Sequence, residues 1–527
     1  MQTNLHGDEQ QLIDALLDPA VYPWNPKQIT HLETHVSQLF FAGDRVVKIK
    51  RAVDYGFVNH LTLESRRHSC LDEVRLNRRL SDEVYLACEP IVDSGDGKLR
   101  IGGEGEPVEW ATLMRLLPAE AMLDVLIELG QLPANIGEAL AGRLIPFHQK
   151  AGACPGNPSE QAADAERILR ENLDEIAPFA GDPVFPVEFG QIADAVRAFL
   201  DRQPGALRER AAQGWIREGH GDLRCEHICL DPPGTVQVFD CVEFSQSIRC
   251  ADVASDLAFL LLDLERLGQA RLAGELVGRY RSAGIDLPDD MLALYRTHRA
   301  LVRAKVSTLT WSGASGEPRA DALAQMAEWL HRAAASVLQT KPVIVAMTGL
   351  SGTGKSAVAS AIGAALNAKV IATDQLRKES IPGDADRYDP ARRLEIYERL
   401  IEEARIELAR HRPVVLDGTF LSDEQRRLAS RLADETGAPL VFADVVADAA
   451  VTERRIIDRA ASVGPEAASE ATIDVQRAQR RELERRPVSL PKKAAHLAFD
   501  TTADGPVSLD RLFEWLYERG LTASRLP

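Results

Sequence analysis

The sequence predicts an α+β domain over residues 1–340 followed by an α/β domain with a parallel sheet over residues 341–527. Three observations lead there. The chain has 527 residues, more than one ordinary core uses. In the second half, the apolar run Val343 to Met347 leads into Gly349 to Ser356, which reads G-x-x-x-x-G-K-S, and an alanine-rich helical pattern opens at Ala357. Later strand-like runs alternate with helical segments there, as βαβ crossovers require. In the first half, by contrast, short strands gather around one helix and the pattern then turns mostly helical.

The strand, glycine loop and helix at 343–363 form a phosphate-binding arrangement. Glycines let backbone N–H groups curl around an anion, and the helix N-terminus adds its dipole. Gly349, Leu350, Ser351, Gly352, Thr353 and Gly354 form the cradle, Lys355 reaches the β and γ phosphates, and Ser356 offers a hydroxyl to Mg²⁺.

From the N-terminus, Gln10 to Leu17 reads as a helix broken at Pro23. Val36 to Phe41 and Arg45 to Lys50 read as a hairpin turning at Gly43-Asp44. On its second strand Val46, Lys48 and Lys50 share a face, because side chains alternate. A helix over Leu63 to Leu80 carries Glu64, Asp72 and Glu73, and strands follow at Val84 to Val92 and Glu109 to Leu116. Helices are expected over 252–267, 269–283, 291–307 and 320–338, with a flexible stretch at Ser312 to Pro318 and the domain boundary near Thr340. Beyond the phosphate loop, strands are expected at 368–372, 413–416 and 440–445, and a helix at 391–409.

Composition narrows the classes. The formal charge of −17 argues against indiscriminate binding to nucleic acid or anionic membrane. No apolar run approaches membrane-spanning length and no secretory signal opens the chain. Seven cysteines without paired spacing fit a reducing compartment. The cytoplasm is therefore the expected location.

A second constellation lies at 219–244, running from Gly219-His220-Gly221-Asp222 to Phe239-Asp240-Cys241-Val242-Glu243-Phe244. Each residue type has a task in phosphoryl transfer. Asp222, in a loop, suits a base for an attacking hydroxyl; Asp240, ending a strand, suits Mg²⁺; a lysine on a distant strand suits the nucleotide phosphates. Lys48 is the first choice for that lysine and Lys50 the second. Glu73 is the expected carboxylate partner, with Glu64 and Asp72 as alternatives.

His-Gly-Asp-Leu at 220–223, Phe-Asp-x-x-Glu-Phe at 239–244 and Asp-x-x-x-Asp-Leu-Ala-Phe at 252–259 resemble the aminoglycoside phosphotransferase superfamily, whose fold is similar to protein kinases. With the C-terminal P-loop, the chain resembles bacterial proteins that join such a half to a predicted kinase. The resemblance implies an α+β protein-kinase-like fold for the first half, Asp222 as catalytic base and Asp240 as metal ligand. It also implies Glu243 as a second metal-side carboxylate, and Asp252 and Asp256 as structural ties. Two departures stand out: His227 occupies the position where the family places a metal-binding asparagine, and no G-x-G-x-x-G covers the hairpin. Mg²⁺ prefers oxygen, so His227 at the metal leaves Mn²⁺ open at that site.

In the second half, Asp417 ends an apolar strand where a carboxylate helps hold Mg²⁺, and Asp374, with Arg377 one turn later, faces the acceptor. Arg455 and Arg459 share a helix face and are expected to neutralise transferring charge, with Ala460 to Ala471 as a lid. Thr-Asp-x-x-Arg at 373–377, Leu-Asp-Gly-Thr-Phe at 416–420 and Arg-x-x-x-Arg resemble P-loop kinases related to gluconate, chloramphenicol and polynucleotide kinases. The combined expectation is an ATP- and Mg²⁺-dependent phosphotransferase with two nucleotide sites. Its acceptor would be a small hydroxylated molecule, with a polynucleotide end as the less favoured acceptor. The alternatives are a regulatory first half controlling the P-loop kinase, and an ATPase switch.

Overall fold

A computed structural model describes the chain except residues 1–4, 55–57, 94–97, 381–389, 463–472, 486–487, 489–490, 492 and 504, and the side chains at 5–8, 379–380, 390–391, 459–462 and 482. It divides into two compact units, one formed by 1–166 with 205–295 and the other by 167–204 with 296–527.

The first unit is built on a six-stranded antiparallel sheet: β1 (Ile29–Glu33), β2 (Ser37–Ala42), β3 (Arg45–Lys50), β4 (Tyr85–Asp93), β5 (Leu99–Ile101) and β6 (Pro107–Arg115), in the order β1-β2-β3-β6-β4-β5. Gly43 takes φ +71° at the β2–β3 turn, as a two-residue connection demands. Val47 and Ile49 enter a buried core with Phe40, Ile91 and Ala111. The pleat therefore sends Lys48 and Lys50 to the opposite face, towards the helix Leu63–Asn77. That helix starts where Thr62 accepts the N–H of Ser65. Farther along, β7 (Ile216–Glu218) pairs with β10 (Cys250–Asp252), and β8 (Ile228–Leu230) with β9 (Val236–Val238). The loop 219–227 is thus held between two small ribbons and the buried helix Val253–Arg266.

In the second unit the sheet is parallel throughout: β12 (Ile344–Thr348), β13 (Lys369–Ala372), β14 (Val414–Asp417), β15 (Leu440–Val446) and β16 (Ala495–Asp500), in the order β13-β14-β12-β15-β16. Every residue of central β12 is buried, which its unbroken apolar run requires. A small ribbon joins β11 (Leu338–Thr340) to β17 (Thr522–Ser524). The expected α+β and α/β classes are the ones found.

Three expectations change. The division does not run through a single cut at residue 340: the helix Glu317–Val337 packs on the helix Lys355–Leu366, and the helix Pro186–Arg202 packs on both Glu317–Val337 and Asp510–Glu518. Buried side chains explain it: Leu330, Ala334 and Val337 are fully buried there, and His331 meets Glu188 at 2.9 Å. Ser312 to Pro318 is no extended linker, because one helix runs to Gly313 and the next begins at Glu317. Finally, Cys154 and Cys250 form a disulfide. They lie 96 residues apart, but Ala153 and Ala251 both pair with Arg217 of β7, which brings the two cysteines together.

Candidate active sites

The first site is a network of charges. Lys48 Nζ lies 2.6 Å from Glu73 Oε1 and 3.0 Å from Asp240 Oδ1. Lys50 Nζ lies 3.0 Å from Glu73 Oε2 and also pairs with Glu243. Thr112 donates its hydroxyl to Glu73 at 2.8 Å. Glu73 is fully buried, whereas Glu64 and Asp72 pair at the surface with Arg67 and Arg75. Of the three carboxylates considered, only Glu73 meets both lysines.

These contacts fix protonation. Burial alone would raise Glu73, but Lys48 and Lys50 bring it down to about 2. The Lys48 ammonium holds Asp240 far below the usual carboxylate range, against the effect of burial. Burial would lower Lys48, but Asp240 and Glu73 outweigh it and raise it well above its ordinary value. Asp240 also adopts φ +61°, with its N–H donated to the Tyr85 hydroxyl at 3.0 Å. A non-glycine residue held in the left-handed region marks a position fixed by its surroundings.

Asp222 sits in a loop organised by Asp256, whose carboxylate accepts the N–H groups of His220 at 2.7 Å and Gly221 at 2.8 Å. Asp252 is bound by two guanidinium nitrogens of Arg210, at 2.7 and 2.8 Å, and caps the following helix. Asp222 is clamped as well: Arg224 donates Nε to Oδ1 and Nη2 to Oδ2, each at 3.0 Å. Burial would raise its pKa, yet His227 and Arg224 together lower it. His227 Nδ1 lies 2.8 Å from the Asp222 carbonyl oxygen, so it carries the proton and leaves Nε2 as an acceptor. Arg224 Nη2 donates to that Nε2 at 3.3 Å, and Asp240 Oδ2 lies 3.7 Å from it. Glu243 does not reach the metal-side position the resemblance implies, because Lys50 holds it in the interior.

Among the described residues, no group of three His, Cys, Asp or Glu side chains is arranged to hold a metal alone. The residues fit instead a nucleotide-borne Mg²⁺, which uses one or two carboxylates together with phosphate and water oxygens. Asp240, 45% exposed, is the group that fits.

The second site is a backbone cradle. Gly349 has φ +139°, and a Cβ there would stand 2.4 Å from the Val445 carbonyl oxygen. At Gly352 a Cβ would meet Ile456 and Thr452 at 2.9 Å, so the loop closes only with hydrogen at both positions. Lys355 Nζ donates to the Leu350 carbonyl at 2.7 Å. Thr353 Oγ1 donates to the same carbonyl at 2.9 Å, and Gly354 takes φ +85° at the start of the helix. Asp417 stands beside Ser356, Lys355 and Asp374; burial raises its pKa, and the Ser356 hydrogen bond opposes the rise. Asp374 accepts from Arg377 at 2.8 Å.

Arg455 is tied to Thr501, through its hydroxyl at 3.1 Å and its carbonyl at 2.7 Å, and Thr501 donates to the Thr353 carbonyl at 2.7 Å. The structure thus places Arg455 against the loop. The Arg459 side chain and most of the expected lid, 463–471, lie outside the described residues. Sequence reasoning did not find Arg224, Lys50's link to Glu243, Thr501 or Gln479, whose Oε1 accepts the Ser351 N–H at 3.0 Å. Only Arg224, two residues from Asp222, carried a local signal.

A protein-family model described as an AAA domain matches residues 344–483. Uncharacterized proteins of Mycobacterium bovis and Mycobacterium tuberculosis are each 32% identical to the chain over 442 residues, covering 81% of it and 86% of theirs. The chain belongs to their family. Among solved structures, a choline/ethanolamine kinase family protein from Mesorhizobium loti covers 62% of this chain and 94% of its own, at 14% identity and TM-score 0.38. A putative kinase from Chloroflexus aurantiacus covers 34% and 98%, at 18% identity and TM-score 0.29. No described helix is long and apolar enough to cross a membrane.

Proposed function

We propose that the protein is an ATP-dependent phosphotransferase with two nucleotide sites, each transferring the γ-phosphoryl group to a hydroxyl of a small acceptor. The observation that carries this reading is the convergence of Lys355, Ser356 and Asp417 at one glycine loop. There Lys355 would swing from the Leu350 carbonyl to the β and γ phosphates. Ser356 and Asp417 would hold Mg²⁺, Asp374 would orient the acceptor hydroxyl, and Arg455 would balance negative charge at the loop. Mg²⁺, when bound, would neutralise charge on the phosphates.

At the first site Asp240 would hold the nucleotide's metal, with Mn²⁺ or Mg²⁺ beside His227. Lys48, oriented by Glu73, would meet the phosphates. Asp222 would take the acceptor proton on a lone pair that Arg224 leaves unused, since each carboxylate oxygen has two. The location proposed is the cytoplasm.

A second reading, in which the first unit regulates the second without catalysis, is favoured by the Arg224 clamp. A base whose two oxygens already accept from a guanidinium is a weak one. Single-turnover transfer from γ-labelled ATP across small hydroxylated acceptors tests both. Asp222→Asn should remove phosphorylation of one acceptor class and Lys355→Ala another. Transfer that ignores Asp222→Asn and responds only to Lys355→Ala would establish the regulatory reading.

A further inference from the structure

One contact at the C-terminal loop has no part in these roles. The helix Ile473–Arg485 brings Gln479 to the peptide joining Leu350 and Ser351, where Oε1 accepts the Ser351 N–H at 3.0 Å. The carbonyl of that same peptide holds Lys355 Nζ at 2.7 Å. Lys355 is the group that reaches the β and γ phosphates, so the peptide lies at the terminal-phosphate end of the cradle. One helical turn before Gln479, on the same face, Gln476 is 1% exposed and its Nε2 has no hydrogen-bond partner among the described residues. A buried donor left unmade is costly, and an absent partner is its ordinary explanation. Arg477, paired with Glu453 at 3.2 Å, ties this helix to Ala449–Ser462, the helix that carries Arg455.

We propose that Gln479 and Gln476 form a carboxamide site that reads the terminal phosphoryl group of a nucleoside triphosphate at the C-terminal loop, an inference that rests on the nucleotide reading of that loop. Gln479 carries both an acceptor and a donor. In the structure its oxygen holds the Ser351 N–H. A γ-phosphoryl oxygen takes over that N–H, and the NH₂ groups of Gln479 and Gln476 then donate to the phosphoryl group. No covalent bond changes. A diphosphate leaves the Gln479 contact in place, so the pair discriminates ATP from ADP.

The test follows hydrogen exchange in the full chain, at segments 349–366 and 473–485, titrated with Mg²⁺ and either ADP or a non-hydrolysable ATP analogue. In the wild type both ligands protect 349–366, and only the triphosphate changes exchange in 473–485. Gln479→Glu keeps an acceptor for Ser351 but puts negative charge where a donor stood. It should weaken the triphosphate by about tenfold or more while ADP stays within about twofold. Gln476→Leu removes the orphaned donor. It should weaken the triphosphate several-fold while folding stability is unchanged or higher. An unaltered triphosphate-to-diphosphate ratio in both variants overturns the proposal, as does an equal loss of both ligands, which is the mark of a structural loop contact. No protection of 349–366 by either nucleotide in the wild type refutes the loop's nucleotide reading instead, and takes the proposal with it.

Discussion

If both candidate sites take phosphate, as proposed, they prepare for it by opposite means. The second unit uses backbone: a loop of consecutive residues whose glycines leave no room for side chains, with Lys355 and Ser356 at its end. The first unit uses side chains from four separate stretches: Lys48, Glu73 and Asp240 are already locked together by ion pairs, and Asp222 is clamped by Arg224. A cradle of N–H groups carries no net charge and is ready for phosphate. An ion-pair network must exchange partners when phosphate arrives, because Lys48 now spends its charge on Asp240 and Glu73. The backbone site therefore depends on one added charge, and the side-chain site on the integrity of the whole network.

The sharpest way to break this contrast is Lys355→Ala. With the ammonium gone, the loop loses the flexible positive charge assigned to both β and γ phosphates, and turnover at the C-terminal site should fall about a hundredfold or more. The thermal stability of the second unit should hardly change, since the Lys355 ammonium donates to a loop carbonyl rather than joining the buried core. Retained transfer, measured in an Asp222→Asn background, would remove the kinase assignment from this loop.

Glu73→Gln should act the other way, on stability as much as on activity. Two ammonium groups lose a buried carboxylate, and Lys50 is fully buried. Breaking such a network by removing one partner costs roughly 3–5 kcal/mol, so the first unit should melt well before the second. Calorimetry of the full chain that shows no separation of the transitions would count against the network's role in folding.

The same contrast decides what the sequence made legible. The P-loop could be read because all its parts are contiguous and each residue type has a fixed task. Lys48 and Glu73 could be ranked because alternation on β3 puts two lysines on the face opposite Val47 and Ile49. The Arg224 clamp, the Lys50–Glu243 pair and the Gln479 contact depend on how loops return in space, and no periodicity encodes that. The Cys154–Cys250 bridge was hidden for the same reason, its register being set by Ala153 and Ala251 against Arg217. The boundary near Thr340 was misplaced because it marks a change of pattern along the chain, while packing follows apolar faces: Val337 and Leu330 belong with the helix after the P-loop.

Acid should separate the two designs less sharply but measurably. Burial lowers His220 to about 4 from an ordinary 6.5, so between those values the unfolded chain binds a proton the folded one refuses. Stability from this group is complete above pH 6.5 and is lost as pH falls towards 4, by roughly 3 kcal/mol. Below pH 4.5 the Glu73 contribution joins it, since a carboxylate lowered to about 2 loses its stabilising effect as pH drops through that range. Hydrogen exchange around 220–222 should therefore accelerate by pH 5, with 73–77 following nearer pH 3. Equal protection of 220–222 at pH 7 and pH 4.5 would contradict a neutral, buried His220.

The smallest expected effect concerns His227. Its Nδ1–H is used on the Asp222 carbonyl, so only Nε2 points to the region of Asp240, and Arg224 already donates to it. An asparagine could keep a donor for that carbonyl while presenting an amide oxygen to the metal, which suits Mg²⁺ better than imidazole nitrogen. His227→Asn should therefore strengthen Mg²⁺-dependent nucleotide binding at the first site several-fold, with a smaller change in Mn²⁺. The gain should vanish in His227→Asn with Asp240→Asn, because the added oxygen would then have no carboxylate beside it to share the ion. Affinities in both metals, read from exchange protection at Lys48 and its neighbours on β3, separate this outcome from binding at the P-loop. If neither metal alters protection on β3 in any of these forms while the fold is intact, the side-chain network is a structural ion-pair cluster, and the regulatory reading of the first unit stands.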